Sequence, residues 1–350
     1  MREDTSTVDD TSVIVDRGQY ADTKTPWDHA SWRESALDWA GRELAARGLR
    51  ATGRQRVRLR PWSVLVRIPV EADATTPTTI VWLKANPPAG AFEAPLTAAL
   101  ARWVPEHVLE PLAVDAERGW SLLPDGGALF RDVLDHGPAE QRAWEEPLRQ
   151  YATMQRALIP YTKDLEQLGV PSARTTKLPQ VFDRTVEFIR SVTSTASVDP
   201  ASLRALRPRL LDWSQELADL GIPDSLDHSD LHDGQVFNPE PGRFVFFDWG
   251  DAAVSHPFCS FLVPAGRVAE RYGSEALPRL RDAYLEPWTS NGLTTKELHR
   301  ALALATRLGV IGRAVSWGRH FPGATEATRA AGARASAEWL LRLTSDEPPF

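Results

Sequence analysis

Apolar positions follow two different periods in the first third of the chain. Where they recur every three or four residues the pattern predicts a helix, and where they alternate with polar residues it predicts a strand. The predicted elements, in chain order, are a helix at 27–49, strands at 55–60, 62–70 and 78–85, a helix at 91–103, and strands at 108–114 and 120–123. Together they predict a five-stranded antiparallel sheet with one helix inserted after the third strand.

The pattern changes after Leu123. The segment Pro124-Asp125-Gly126-Gly127 breaks the alternation, and helical spacing dominates from there on. The predicted helices lie at 128–135, 139–158, 177–193, 200–220, 257–271, 275–288, 294–318 and 325–344. A short hairpin is predicted around the turn-forming residues 238–242. The expected fold class is therefore α+β, with a small antiparallel-sheet N-terminal lobe and a larger, mostly helical C-terminal lobe.

Length and composition suggest four parts. A chain of 350 residues has room for two lobes with their own cores. Residues 1–26 are rich in Asp, Thr and Ser and show no period, which predicts a disordered or loosely packed arm. We expect an N-terminal lobe over 27–123, an interlobe hinge at 124–127 and a helical C-terminal lobe over 128–350.

Charge and composition argue against several classes of partner. The net charge of −7 does not favour a nucleic-acid partner, which would require a basic face. No apolar run approaches the roughly 20 residues of a membrane helix, and no secretory signal is recognisable at the N-terminus. Cys259 is the single cysteine, so an internal disulfide is excluded. We expect a cytoplasmic protein, a monomer or weak homodimer, without a membrane or nucleic-acid partner.

The strongest chemical signal lies between residues 228 and 251. Asp230 precedes Gln235 by five positions in a loop, and Asp248 follows at the end of an apolar strand. A carboxylate base, an amide and a second carboxylate at this spacing are typical of a kinase-type phosphotransfer site. Asp230 is predicted to accept the proton of a substrate hydroxyl, while Gln235 and Asp248 are predicted to hold Mg²⁺ against the phosphates of a nucleotide.

The N-terminal sheet supplies candidates for nucleotide binding. Lys84 lies in the apolar third strand, where it could reach the phosphates, and Glu93 opens the next helix and could pair with it. The alternative for Lys84 is an edge-strand lysine that faces water. No glycine-rich phosphate loop is present, so the Ser63 hydroxyl, with Arg60 or Arg67, is a weaker candidate for phosphate contact.

These residues resemble the aminoglycoside phosphotransferase and choline kinase-like family, the small-molecule branch of the protein-kinase-like fold. The resemblance rests on His228-x-Asp230-Leu231-His232-x-Gly234-Gln235, on Phe247-Asp248-Trp249-Gly250-Asp251 and on Lys84, and it covers residues 54–265. It implies ATP, or alternatively GTP, together with Mg²⁺ and a hydroxyl acceptor on a small molecule. It also implies that residues 120–127 form a hinge, with the backbone near Leu123 pairing with the adenine.

The chain departs from the family pattern in two places. Gln235 stands where the family has asparagine, which leaves open whether one or two metal ions bind. Residues 255–258 replace a Gly-Asp-Pro sequence, and Ser260 stands near a further expected acid. Because that acid helps to brace the catalytic loop in relatives, its absence weakens the resemblance on the substrate side.

The predicted function is ATP-dependent transfer of the γ-phosphate to a hydroxyl of a small molecule, such as an aminoglycoside-like compound, an amino alcohol or a sugar. The alternative is a nucleotide-binding pseudoenzyme with a regulatory role, and a protein kinase is a third interpretation. The acceptor stays open. Four acids could contact a cationic acceptor or could lie on solvated helix faces, namely Glu270, Glu275, Asp282 and Glu286. Trp288 and Trp317 are predicted to be core residues.

Overall fold

The computed structural model describes residues 13–16, 25–73, 77–137, 140–192, 200–319 and 326–345. Its N-terminal part is a mixed sheet with two helices. The strands are β1 Val13–Asp16, β2 Arg50–Ala51, β3 Gln55–Arg60, β4 Ser63–Glu71, β5 Thr79–Ala85, β6 Ala113–Asp115 and β7 Trp120–Pro124. The helices are α1 Ala30–Ala45 and α2 Glu93–Trp103. The strand order is β1-β3-β4-β5-β7-β6, with β2 paired to β4.

The alternation of side chains gives this sheet two different faces. Residues of β4 such as Val64, Val66 and Ile68 are at most 4% exposed and pack with Trp39 and Leu44 of α1. Because successive side chains of a strand point to opposite faces, the polar residues between them lie on the other face. That second face carries the candidate phosphate-binding residues.

The C-terminal part is built mainly from ten helices within the described residues. They are α3 Phe130–His136, α4 Glu145–Leu158, α5 Thr162–Gln167, α6 Leu178–Val192, α7 Pro200–Arg204, α8 Arg207–Asp219, α9 Leu262–Tyr272, α10 Leu277–Leu285, α11 Thr295–Arg319 and α12 Glu326–Leu341. Their apolar faces form the larger of two core clusters, and α2 packs into this cluster through Leu96 and Leu100. The predicted α+β fold class is confirmed.

Two short antiparallel pairs interrupt the helices and position the catalytic stretch. The first pairs β8 Ser225–Asp227 with β11 Ala253–Ser255, and the second pairs β9 Val236–Glu240 with β10 Arg243–Phe246. The predicted loop 228–235 therefore begins at the end of β8 and leads into β9. The segment 247–251 connects β10 to β11, so both chemical segments lie between the same two pairs of strands.

The structure corrects some predicted elements. Within the predicted disordered or loosely packed arm, Val13–Asp16 forms a strand parallel to β3, and residues 1–12 and 17–24 lie outside the described residues. The strand predicted at 108–114 is reduced to β6, because Pro111 within that range has no N–H to donate to a neighbouring strand. Helix α5 and the pair β8–β11 are too short for the hydrophobic pattern to distinguish them from loops. The division into lobes and hinge stays a prediction.

Across the described residues, no helix combines the length and the apolar character needed to cross a membrane.

Candidate active site

Lys84 forms the centre of a buried charged cluster. Strand β5 lies between β4 and β7, so Lys84 is not on an edge strand, and the residue is only 7% exposed. Its Nζ lies 2.6 Å from Glu93 Oε1 and forms a second ion pair with Asp248 Oδ1. The alternative of a water-facing lysine is therefore wrong, and the predicted pairing of Lys84 with Glu93 is present.

Glu93 is fixed by contacts on both of its oxygens. The backbone N–H of Trp249 donates to Oε1 at 2.9 Å, and the Asn86 amide donates to Oε2. Burial raises the pKa of Glu93, although the Lys84 ammonium opposes this shift. Glu93, the first residue of helix α2, is therefore hydrogen-bonded through Trp249 to the segment that carries Asp248.

The charges of this cluster stabilise one another. Burial alone would lower the pKa of Lys84, but Asp248 and Glu93 outweigh it and raise that pKa above its ordinary value. Burial would likewise raise the pKa of Asp248, but Lys84 outweighs it and lowers that pKa. A cationic lysine beside an anionic aspartate is therefore the stable state of the site at neutral pH.

Asp248 adopts a left-handed backbone conformation, with φ 67° and ψ 59°. Ser229, with φ 61°, is the other described non-glycine residue with a positive φ. Such conformations cost free energy and persist where the surrounding contacts hold them. His228 supplies one such contact, because its ring is fully buried and Nε2 donates to the carbonyl oxygen of Phe247 at 2.9 Å. His228 thus ties the catalytic loop to the strand that presents Asp248.

The loop is braced by Asp227, a residue that the sequence analysis did not select. Its Oδ1 accepts from the Ser229 N–H at 2.9 Å and from Ser260 Oγ at 2.6 Å, and its Oδ2 accepts from Ser229 Oγ at 2.7 Å. Burial raises the pKa of Asp227, opposed by the hydroxyls of Ser260 and Ser229. The carboxylate that braces this loop is therefore supplied by Asp227 at the end of β8.

Replacing Asp227 with alanine is expected to destabilise the protein by about 2–3 kcal/mol, because three buried donors lose their acceptor. Urea unfolding measures the change. Ser229→Ala is the matched control, since it removes one side-chain donor of the three, keeps the Ser229 N–H and should cost only about 1 kcal/mol. An Asp227→Ala variant no less stable than Ser229→Ala would contradict the brace.

Asp230, the predicted base, lies at the mouth of the loop with its side chain 23% exposed. Its Oδ1 forms an ion pair of 3.1 Å with Arg313 Nη2, and its Oδ2 lies 3.9 Å from His232 Nε2, beyond hydrogen-bond distance. Burial raises the pKa of Asp230, while Arg313 opposes this shift and Asp251 adds to it. Asp230 therefore has a stronger basicity than an ordinary carboxylate and one oxygen available to a hydroxyl.

Gln235 lies next to the segment that carries Asp248. Its N–H donates to the His232 carbonyl at 2.8 Å, and its own carbonyl accepts from the Phe247 N–H at 3.1 Å. Arg131 of α3 anchors the turn, because its Nη2 lies 2.8 Å from Asp233 Oδ1. The turn thus places the predicted amide ligand across from the residue before Asp248.

The donor set fits Mg²⁺. The side chain of Asp248 is 39% exposed, and only its Oδ1 pairs with Lys84. An amide and a carboxylate are oxygen donors, and Mg²⁺ is commonly held by one or two protein oxygens together with phosphates and water. No group of three or more His, Cys, Asp or Glu side chains is placed to hold a metal among the described residues. The site therefore suits an ion bound jointly with a nucleotide.

The polar face of the sheet adds cations beside this cluster. The register aligns Arg58 of β3 with Leu65 of β4 and then with Lys84, so Arg58 shares a face with Lys84. Arg56 and Arg67 are directly opposite each other on the same face. Partial burial and Arg60 lower the pKa of Arg58, while Asp248 opposes that shift. The cleft is therefore basic where a phosphate chain would meet the sheet.

Ser63 and Leu123 lie at two ends of this cleft face. Ser63 is 8% exposed and pairs with Arg60 across the two-residue turn between β3 and β4. Leu123 pairs with Trp82 near the end of β7, where Asp125 then accepts from the Trp82 indole N–H at 3.2 Å. Ser63 therefore lies beside the arginines of β3, and Leu123 precedes the segment 124–127 that was predicted as the hinge.

Comparisons with solved structures identify this architecture. An ethanolamine kinase from Plasmodium vivax matches with a TM-score of 0.56 at 12% identity, over 82% of each chain. A macrolide 2′-phosphotransferase from Brachybacterium faecium matches with a TM-score of 0.53 at 19% identity, over 86% of this chain and 97% of that one. The chain has the fold of the small-molecule kinases.

A third match is a GDP complex of aminoglycoside 2′-phosphotransferase-IIIa, with a TM-score of 0.51 at 14% identity, over 87% of this chain and 98% of that chain. Neither a protein-family model nor a curated protein matches the sequence. At these identities the likeness lies in the fold, and the resemblance predicted from the motifs is confirmed at that level.

Three of the four acids that were considered as contacts for a cationic acceptor pair with nearby arginines. Glu270 pairs with Arg267 at 3.1 Å, Asp282 with Arg281 at 2.9 Å, and Glu286 with Arg149 at 2.6 Å. The side chains of these three acids are 61–72% exposed. They are therefore solvated ion pairs on helix surfaces.

Trp288 and Trp317, which were both predicted to be core residues, differ in their burial. Trp288 is fully buried, as predicted. Trp317, near the end of α11, is only half-buried and meets Trp62 of the β3–β4 turn edge to face, with ring centroids 6.3 Å apart. The prediction of a core residue is wrong for Trp317, because α11 extends past the core and reaches the sheet of the other lobe.

Proposed function

We propose that this protein is an ATP-dependent phosphotransferase that moves the γ-phosphate to a hydroxyl of a small molecule, with GTP as the alternative nucleotide. The observation that carries the proposal is the buried Lys84–Glu93–Asp248 cluster, since it joins the sheet, helix α2 and the segment after β10 around one cation. Phosphoryl transfer depends on positioning and charge neutralisation, and this cluster is suited to both.

The nucleotide would lie beneath the sheet. Lys84 would contact its phosphates, with Glu93 holding the ammonium in place, while Ser63 and the arginine-lined face of β3 and β4 would bind the phosphate chain. The backbone near Leu123 would pair with the base. The fold neighbour solved as a GDP complex supports nucleotide binding by a protein of this fold.

Gln235 and Asp248 would hold Mg²⁺, which neutralises phosphate charge when bound. Asp230 would accept the proton of the acceptor hydroxyl through Oδ2. The acceptor oxygen then forms a bond to the γ-phosphorus, the bond from that phosphorus to the β–γ bridging oxygen breaks, and ADP leaves with the electron pair. The neighbours named for ethanolamine and macrolides support a small hydroxyl-bearing acceptor.

The test is incubation of the full chain with Mg-ATP and a panel of aminoglycosides, macrolides, amino alcohols and sugars, following ADP release and product mass. We expect one acceptor to gain a single phosphate, with product formation slowed by about 10²–10⁴-fold in Asp230→Asn. Nucleotide binding without phosphate transfer to any acceptor would favour the pseudoenzyme. Efficient phosphorylation of generic peptides would favour a protein kinase.

Arg58→Gln is expected to raise the KM for ATP about 10- to 150-fold with little effect on the KM of the acceptor, because one charged phosphate contact is worth about 1.5–3 kcal/mol. Steady-state kinetics measure both constants. The control is Arg50→Gln, since Arg50 is also on the sheet but is largely exposed and pairs with Glu71. An unchanged KM for ATP in Arg58→Gln would show that the arginine face does not contact the nucleotide.

A further inference from the structure

Arg313 reaches the catalytic carboxylate from helix α11. Its side chain is 9% exposed, with Nη2 at 3.1 Å from Asp230 Oδ1 and Nη1 at 3.3 Å from Asp251 Oδ2. The guanidinium of Arg313 thus bridges Asp230, the predicted base, and Asp251, which follows the predicted metal ligand Asp248 by three residues. No local motif marks it, since it is separated from Asp251 by 62 positions.

Close packing fixes the position of this arginine. A Cβ at Gly312 would lie 3.4 Å from Ser229 Oγ, and a Cβ at Gly309 would lie 3.1 Å from the Cys259 carbonyl oxygen. The backbone of α11 therefore runs against the catalytic loop and the segment 257–261. On the other side the guanidinium lies 5.6 Å from the ring centroid of Trp339 in α12. Arg313 is held between two helices and the loop.

The same face of α11 also reaches the sheet. Trp317 is four residues after Arg313, so the two side chains lie one turn apart on that face. Because Trp317 contacts Trp62 in the β3–β4 turn and Arg313 contacts Asp230, this face of α11 meets both the turn and the predicted base. Helix α11 therefore contacts both the predicted base and the sheet that would hold the phosphates.

We propose that Arg313 is the positioning residue of the catalytic base: it holds Asp230 Oδ1 and thereby directs Oδ2 toward the acceptor hydroxyl. This inference rests on the proposed phosphotransfer. An arginine suits the task because its planar fork binds two carboxylates at once, whereas a lysine offers a single point of charge. When Oδ2 takes the acceptor proton, Asp230 becomes neutral, and Arg313 keeps its charged partner Asp251.

The electrostatics around Asp230 give the inference a readout beyond stability. The charged and titratable groups that act on it are Arg313 from α11, Asp251 after β10, and His232 and His228 in the loop. Arg313 and the two histidines favour the carboxylate, and Asp251 disfavours it. Removing the guanidinium should therefore raise the pKa of Asp230. As the pH is lowered, the variant should then lose activity at a higher pH than the wild type.

The experiment compares Arg313→Lys and Arg313→Gln with the wild type, using an acceptor identified by the panel. Arg313→Gln should lower kcat by about 10- to 100-fold, with the KM for ATP nearly unchanged, and should move the acidic limb of the kcat profile to higher pH. Arg313→Lys should also lower kcat, because a lysine cannot contact Asp230 and Asp251 together. It should leave the acidic limb of the kcat profile near its wild-type pH, because it retains the positive charge. Arg300→Gln is the control, since Arg300 lies on the same helix and pairs with exposed Glu216.

A second measurement is independent of the acceptor. In metal-free protein, the ¹³C carboxyl resonance of Asp230, assigned by its absence from Asp230→Asn, is titrated in the wild type and in both Arg313 variants. A higher midpoint in Arg313→Gln supports the inference, and an unchanged midpoint overturns it. Wild-type kcat in both variants would also overturn it while leaving the phosphotransferase function intact. Failure of the panel together with a higher midpoint in Arg313→Gln would refute the phosphotransferase function but would support the electrostatic contact between Arg313 and Asp230.

Discussion

Replacing Asp230 with asparagine is expected to lower kcat by about 10²–10⁴-fold, the usual contribution of a positioned general base. Asparagine has nearly the same shape, so the ion pair with Arg313 is lost while the loop geometry is kept. Its amide cannot take the acceptor proton. Because Asp230 lies apart from the Lys84 cluster, the Kd of the nucleotide should be unchanged.

Two measurements check this expectation on the same samples: single-turnover phosphate transfer and calorimetric titration with a non-hydrolysable ATP analogue. Asp212→Asn provides the matched control, since it makes the same chemical change on an exposed position of α8. Turnover at the wild-type rate in Asp230→Asn would remove Asp230 from the role of base. A loss of nucleotide affinity equal to the loss of rate would indicate a disturbed cleft.

Replacing Lys84 with methionine should abolish detectable transfer and destabilise the fold by about 3 kcal/mol. The methionine fills a similar volume but leaves Glu93 and Asp248 without their cation, and breaking a buried ion pair is costly because a charge remains uncompensated. Glu93 can relieve part of this cost by taking up a proton, because burial already raises its pKa. Stability is measured by urea unfolding at pH 7.

The double variant Lys84→Met/Glu93→Gln separates stability from function. Since the uncompensated charge of Glu93 is removed, we expect part of the lost stability to return while activity stays absent. The single variant Glu93→Gln should retain the lysine but hold it less firmly, with a raised KM for ATP. Full activity in Lys84→Met would show that the lysine serves the fold alone.

The catalytic stretch could be predicted because its chemistry is local. Asp230, Gln235 and Asp248 lie within one loop and one hairpin, so their spacing along the chain already limits their spacing in the fold. Lys84 was recognised from its place in an apolar strand. Its burial could not be decided from the strand itself, because an edge strand and a central strand have the same alternation; the neighbours β4 and β7 settle it.

Asp227 and Arg313 were missed for different reasons. Asp227 directly precedes His228 at the end of a short buried strand. Because an unpaired carboxylate would be costly to bury there, its position in the sequence already indicated a structural role. Arg313 has no such signal. It is one of several arginines on a long helix, and only the packing of α11 against the catalytic loop through Gly309 and Gly312 makes it different from the others.

By itself, the sequence determined the α+β class, the polar and apolar faces of the sheet and the local order of base, amide and second acid, since these depend on short-range periodicity and spacing. Only the tertiary structure decided which distant charges neutralise one another. Lys84 and Asp248 are 164 positions apart, and their pairing, like that of Arg313 with Asp230, is favoured because isolated charges are costly to bury. Burial is a property of the packed molecule, and no short stretch of sequence determines it.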